Sequence, residues 1–270
     1  MEIKYLNEDC EKISKRCDLE FGKEIIPLTP ANNLLNSDPS LNTNGFGLFT
    51  LRKPETFTAL EQYITGYIQQ QLGIYQEPVK GFELCRYHQY LQQEETHYKI
   101  STWGLEYQML GNAFYEILQQ AEDLLQLKLK VKKINHLGKE GDYVGFRILR
   151  PLRNDHNPFH RDAWLPYWRD TVNVWLPICG FENGNTLQLI PKSHLWSDDQ
   201  ILKTKIGAEI EGKKYHVPAA IGTVNNFSIE TPVLKKGDGL IFSPYLIHGN
   251  GRNHKTDETR VSLEFRFCKA

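Results

Sequence analysis

Short β-branched runs, set apart by Gly, Pro and Asn, fill the second half of this 270-residue chain and constrain its fold more than any other feature. Residues 143–150 read as a strand. Residues 171–178 are clearer, with Val172, Val174, Leu176 and Ile178 alternating against Asn173 and Trp175. Residues 186–190 follow a Gly184-Asn185 turn, residues 239–242 follow Lys236-Gly237-Asp238, and residues 260–267 alternate strictly. Alternation places successive side chains on opposite faces of a strand, so each run presents one apolar face to a core. Many short strands with turn residues between them close into a sandwich or barrel, here of jelly-roll type.

The first half reads differently. Leu60, Tyr63, Ile64, Tyr67, Ile68 and Leu72 recur at helical spacing between Pro54 and Gly73, and a second apolar stripe runs from Leu105 to Leu125. Residues 24–50 carry Pro27, Pro30, Pro39, Gly45 and Gly47, which predicts a long loop with a short strand at its end. Residues 78–101 show no clear period. The expected class is therefore α+β: one domain over 1–270, mainly helical over 1–140, with a jelly-roll core over 141–270. No linker separates the two parts, so the helices are expected to pack on one sheet.

Composition excludes several classes of function. Thirty-two basic and 33 acidic side chains give a net charge of −1, which leaves no global basic footprint for nucleic acid. No run of eighteen apolar residues spans a membrane, and residues 1–10 are mixed and charged, without the apolar stretch of a secretory signal. Five scattered cysteines form no CxxC pair, which argues against a disulfide framework or a cysteine zinc site. A reduced, cytoplasmic protein with no membrane or nucleic-acid partner is expected; oligomeric state is not legible.

Candidate chemistry is concentrated around His160-Arg161-Asp162. Residues two apart on a strand share a face, so the imidazole and the carboxylate can point at one centre. His248, just after an apolar run, supplies a second imidazole. Two histidines and one carboxylate leave three positions open on an octahedral ion, which suits Fe(II) and oxygen chemistry. With nine histidines and 33 acids in 270 residues, about one His-x-acid pair is expected by chance, and one occurs. The pair therefore needs its surroundings. Arg260 and Ser262 fall on one face of the last strand, twelve and fourteen residues beyond His248, and together could hold a carboxylate through a fork and a hydroxyl.

The ordered set His160-x-Asp162, the 172–178 strand, Asn183-Gly184-Asn185-Thr186-Leu187, Ile190-Pro191-Lys192-Ser193-His194, Lys236-Gly237-Asp238, His248-Gly249-Asn250-Gly251 and Arg260-x-Ser262 resembles the phytanoyl-CoA dioxygenase-like branch of the Fe(II)/2-oxoglutarate oxygenases. It covers roughly 141–267. One departure is visible: that family often has Pro-Gly-Ser-His where Lys192 stands here. The resemblance implies a double-stranded β-helix, cupin-like core and Fe(II) held by His160, Asp162 and His248. It implies 2-oxoglutarate chelating the iron through its keto and C1 carboxylate groups, with Arg260 on the distal carboxylate. Ser262 and Asn250 would assist there, and Asn173 or Trp175 would border the co-substrate. Dioxygen would convert 2-oxoglutarate to succinate and CO2, and a ferryl oxidant would hydroxylate the substrate. Asp162 also argues for hydroxylation, or a desaturation or cyclisation variant, and against halogenation, because related halogenases place Gly or Ala there.

The substrate is less legible. Arg147, Arg150, Arg153, Arg161 and Arg169 cluster around the motif with no Lys among them, and could receive a small anionic metabolite: an amino-acid derivative, a sugar acid or an acyl conjugate. Equally, such arginines face solvent or pair with Asp155 and Asp170. Trp164, Tyr167 and Trp168 are candidates for a substrate wall, and His156 for a substrate contact; His194 reads as structural or as support for the metal site, and the remaining histidines as ordinary. Two other functions stay open: a cupin-like metalloenzyme that needs no 2-oxoglutarate, and a non-catalytic jelly-roll binding module.

Overall fold

The computed structural model describes residues 2–23, 28–29, 33–101, 104–136, 139–210 and 213–270. Its centre is a pair of antiparallel layers. Among the described residues the first layer is a seven-stranded sheet running in the order Phe46–Thr50, Asp238–Phe242, Thr171–Cys179, Arg260–Lys269, Tyr143–Leu149 and Gly104–Glu106, with Leu129–Val131 also paired to the long Arg260–Lys269 strand.

Alternation in the two central strands sorts their side chains. Val172, Val174, Leu176 and Ile178, with Val261, Leu263, Phe265 and Phe267, join the helix-side core. On the other face Asn173 stands opposite Arg266, and Trp175 opposite Glu264.

The second layer is assembled from shorter pieces. Lys4–Tyr5, Ala220–Thr223, Ile201–Thr204 and Leu19–Phe21 form one sheet, and Leu187–Leu189 pairs with His248–Asn250. Residues 159–160 join the two. The Ala220 N–H donates to the Phe159 carbonyl at 2.6 Å, and His160 and His248 exchange N–H···O bonds at 2.8 and 3.0 Å. The two layers make the expected jelly roll.

Helix Pro54–Tyr75 starts with proline in its first turn, where the missing N–H costs nothing, and buries Phe57, Leu60, Ile64, Ile68 and Leu72 at helical spacing. Helix Asn112–Leu125 is shorter than the apolar stripe from Leu105 predicts. Gly104–Glu106 is a strand, Tyr107–Leu110 a 3-10 turn, and Gly111 sits at φ +54°, outside helical space. Both helices cover the outer face of the first layer, and Phe114 lies 6.3 Å from Phe265 and 6.1 Å from Phe267, ring centre to ring centre. The 78–101 stretch contains helix Glu94–Ser101.

The N-terminal half is less purely helical than its sequence suggests. Lys4–Tyr5 and Leu19–Phe21 cap the two edges of the four-stranded sheet, and helix Glu8–Ser14 buries Cys10 and Ile13 against that layer. As edge strands of two and three residues, Lys4–Tyr5 and Leu19–Phe21 leave few unpaired backbone groups to template association. The expected loop over 24–50 lies partly outside the described residues; its later part holds helix Pro39–Asn44 and the edge strand Phe46–Thr50. The five cysteines are all free, and none of the described helices is long and apolar enough to cross a membrane.

If helices and sheet share one core, Phe114→Ala should cost about 3–5 kcal/mol, the usual range for emptying a buried aromatic site. Urea denaturation measures it; a loss below about 1 kcal/mol would mean that the helices contribute little to the cooperative unit.

Candidate metal centre

His160 and His248 are carried by neighbouring backbone segments of the second layer, and their mutual N–H···O bonds bring the imidazoles to 4.4 Å between ring centres. Asp162 lies two residues beyond His160, at the start of the 3-10 turn Asp162–Trp164. All three are buried, and one donor atom from each lies within 4.8 Å of the others.

The remaining atom of each group is engaged elsewhere. His160 Nδ1 lies 2.8 Å from the Pro158 carbonyl and His248 Nδ1 2.9 Å from that of Leu246, so each Nδ1 carries the proton and donates it. Each Nε2 lone pair is then free to face the shared centre. Burial, then the neighbouring His160, lowers the His248 pKa to about 4, which keeps the ring neutral near pH 7. Burial alone would raise the Asp162 carboxyl, but the Arg266 guanidinium beside it holds it well below the ordinary range. Its Oδ1 stands 3.3 Å from His160 Nε2. Its Oδ2 accepts from Asn173 Nδ2 at 2.8 Å and from Arg266 Nη2 at 3.1 Å.

Arg260 is buried at the start of the last strand. Its guanidinium donates to Asn185 Oδ1 at 3.2 Å and to the carbonyls of Thr186 and Gly251 at 3.1 and 2.9 Å. Every one of these acceptors is neutral. Burial lowers the Arg260 pKa to about 9, and among the described residues no anion is set against it. Among the described residues Arg260 Nε, Trp175 Nε1 and Asn173 Oδ1 have no hydrogen-bond partner. Ser262 is buried on the same face as Arg260; the side chain of Asn250 lies outside the described residues.

A cavity beside the centre is lined by Asn173, Trp175, Phe242 and Glu264. It shares His160, Arg147 and Arg266 with a wider cleft bounded by Tyr98, Tyr167, Trp168, Lys214 and His216.

Four of the candidate substrate residues are placed elsewhere. Arg150 is clamped by two carboxylates, with Nη1 and Nη2 on Glu94 at 2.6 Å and Nε on Asp155 at 2.8 Å, so it braces the loop before the motif. Arg161 points away from the centre and ties the motif to a turn. Nη1 meets Asp198 at 2.5 Å, and Nη2 meets the carbonyls of Ser193 and Trp196. Trp164 follows it outward, its indole N–H on Asp198 at 3.2 Å. His156 borders a separate cleft beside helix Glu8–Ser14. Arg169 donates to the Ala163 carbonyl, Arg153 is exposed, and Asp170 pairs with Lys132. Of the arginine cluster only Arg147 reaches the cavity, where Nε meets Glu264 at 3.0 Å. Arg266 and Glu264 were not among the sequence candidates. The signal was available, because both continue the Arg260, Ser262 face of a strictly alternating strand.

The turn at Lys192 survives the loss of glycine. Lys192 takes φ +66°, its N–H donates to the Asn44 carbonyl at 3.0 Å, and Ser193 Oγ accepts the Ile247 N–H one residue before His248.

A jelly roll holding a buried cluster of two histidines and one carboxylate defines a class of mononuclear metal proteins suited to non-haem iron. The phytanoyl-CoA dioxygenase (PhyH) family model matches residues 116–262, more than half of the chain, and the chain belongs to that family. Solved structures with a similar fold include EctD from S. alaskensis in its apo form, at 14% identity over 93% of this chain and 85% of that one, with a TM-score of 0.51. Weaker matches include AviO1 from Streptomyces viridochromogenes Tue57, at 16% identity over 89% and 97% of the two chains, TM-score 0.48. Another is the non-heme alpha ketoglutarate dependent epimerase SnoN from nogalamycin biosynthesis, at 14% over 88% and 83%, TM-score 0.48. At such identities the EctD likeness speaks to the fold alone. The search of curated proteins gives no match.

The Arg150–Asp155 pair should matter for stability and not for metal binding. Asp155→Asn leaves the buried Arg150 guanidinium with Glu94 as its one carboxylate partner and should cost about 1.5–3 kcal/mol. Burial would raise the Asp155 carboxyl, but Arg150 and His97 hold it far below the ordinary range. A depressed folded pKa gives stability that is full above the ordinary carboxylate value of about 4 and is lost as pH falls below it. The variant should therefore lose less stability than the parent between about pH 4 and pH 2, measured by urea unfolding at each pH. Equal acid sensitivity would remove Asp155 from that role.

Proposed function

We propose that this chain is an Fe(II)- and 2-oxoglutarate-dependent dioxygenase that hydroxylates a small anionic molecule. The observation that carries the reading is the buried guanidinium of Arg260, which among the described residues faces only neutral acceptors, in the same fold that converges two imidazoles and one carboxylate. A buried cation without an anion is costly, and a dianionic co-substrate supplies the missing charge. The donor set also fits the metal: His160 and His248 through Nε2 and Asp162 through Oδ1 would hold Fe(II).

When bound there, iron with 2-oxoglutarate and O2 supplies the oxidising chemistry, in which 2-oxoglutarate becomes succinate and CO2 and a substrate C–H becomes C–OH. The chain's own part is positional. The Pro158 and Leu246 carbonyls fix both histidine tautomers. Arg260, aided by Ser262, anchors the distal carboxylate of 2-oxoglutarate, and Trp175 and Phe242 wall the cavity against water. Retention of Asp162 supports hydroxylation over halogenation.

The anionic substrate is supported by charge balance in the outer cleft. Its carboxylates are matched by arginines: Asp155 by Arg150 and Asp162 by Arg266. Lys214 adds to the positive side. Tyr98, Tyr167 and Trp168 supply apolar surface for the substrate body.

His160→Ala should abolish both iron retention and succinate formation from 2-oxoglutarate; surviving turnover would overturn the ligand assignment. Arg260→Gln should keep iron and weaken 2-oxoglutarate binding about 10- to 100-fold, the worth of one charged, bidentate contact. Calorimetric titration of the metal-loaded protein reads this directly. An unchanged affinity would move the anchor elsewhere and favour a metalloenzyme that needs no 2-oxoglutarate.

A further inference from the structure

We infer that Arg266 is a positioning residue that holds Asp162 as a one-oxygen ligand and so keeps a coordination position open for the co-substrate. The inference rests on the metal assignment proposed above. Asp162 presents two chemically equivalent oxygens, and carboxylates bind cations through one or through both. The structure makes them unequal. Oδ1 faces the histidines, 3.3 Å from His160 Nε2. Oδ2 is turned to the strand behind, where three N–H groups converge: Asn173 Nδ2 at 2.8 Å, Arg266 Nη2 at 3.1 Å and Arg266 Nε at 3.4 Å.

Arg266 is itself held on several sides. Trp168 lies under its guanidinium, 4.5 Å from guanidinium carbon to ring centre, and Glu264 Oε2 sits 3.6 Å from Nη1. Asn173 stands directly opposite Arg266 across the two central strands, so both donors to Oδ2 come from one rigid cross-strand pair. Rotation of the carboxylate to bring Oδ2 round would break a buried, charge-assisted pair.

This arrangement has a chemical consequence. Two imidazoles and one carboxylate oxygen leave three of six positions open on an octahedral ion. A two-oxygen carboxylate would leave two, both of which a chelating 2-oxo acid would fill, with none for O2. Arg266 thus acts through Asp162, without touching the metal.

Two readouts other than turnover test this. Apoprotein variants are titrated with Co(II), a spectroscopic substitute for Fe(II), and the loaded proteins are then titrated with 2-oxoglutarate. Arg266→Gln should bind one Co(II) per chain with a shifted visible d–d band, and its 2-oxoglutarate Kd should rise about 10- to 100-fold, as for other residues that orient a ligand. Arg266→Lys, which keeps the charge and loses the fork, should fall between that variant and the parent.

A folded Arg266→Gln with the parental band and the parental Kd overturns the inference. So does a folded variant that binds no Co(II), because Arg266 would then serve ligand retention. Near-ultraviolet circular dichroism reports the fold. If Arg266→Gln is unfolded, Arg266→Lys and Asn173→Ala decide the same question, since each removes part of the Oδ2 clamp. A parent that binds Co(II) but shows no response to 2-oxoglutarate would instead sink the proposed function.

Discussion

Everything at this centre depends on a two-bond backbone bridge. The N–H and C=O groups of His160 and His248 pair with each other, and that exchange brings together residues 88 positions apart in the sequence. Backbone pairing of this kind fixes the origin of each side chain, and the Nδ1 bonds to the Pro158 and Leu246 carbonyls then fix the rotation of each ring. A metal placed by side chains alone would pay the entropy of ordering two imidazoles and a carboxylate at binding; here most of that ordering is complete on folding.

Around this bridge the protein balances buried charge by pairing. Arg161 meets Asp198, Arg150 meets Asp155 and Glu94, and Arg266 meets Asp162. Each pair ties a segment of the site to another element: the motif to the turn at Ser193, the preceding loop to helix Glu94–Ser101, and the carboxylate to the central sheet. Arg260 departs from the pattern, since its acceptors are all neutral oxygens. A fold that matches its other buried arginines in this site and leaves one without an anion has, in effect, written the charge of its missing ligand.

How much of this was legible in the sequence follows from which features are periodic. The strands over 171–178 and 260–267 were readable because each is buried on both faces by different partners, apolar towards the helices and mixed towards the site. Lys4–Tyr5 and Leu19–Phe21 were not, since two or three residues at a sheet edge carry no period to detect. The onset of helix Asn112–Leu125 is hidden in the sequence because Leu105 and Leu110 continue the apolar stripe while belonging to a strand and a 3-10 turn. At the site, the alternation that brings His160 and Asp162 together also sends Arg161 to the opposite face, so its placement outside the cavity is a consequence of the same rule. Arg150 takes the alternative that the sequence leaves open, pairing with Asp155, while Trp164 is near the motif along the chain yet is turned outward by Asp198, 34 residues on. Lys192 shows the reverse case: the family's glycine is gone, yet the left-handed turn remains because the Asn44 carbonyl and the Ser193 hydroxyl hold it on both sides.

The most direct test of the central claim needs no knowledge of the substrate. Fe(II) and then 2-oxoglutarate are added to the apoprotein without oxygen, and the visible spectrum is recorded. A weak metal-to-ligand charge-transfer band that requires both additions, and disappears in His248→Ala, is the result this account predicts. Bound iron with no band on adding 2-oxoglutarate would contradict it, and would leave a metal-binding jelly roll whose chemistry does not use that co-substrate.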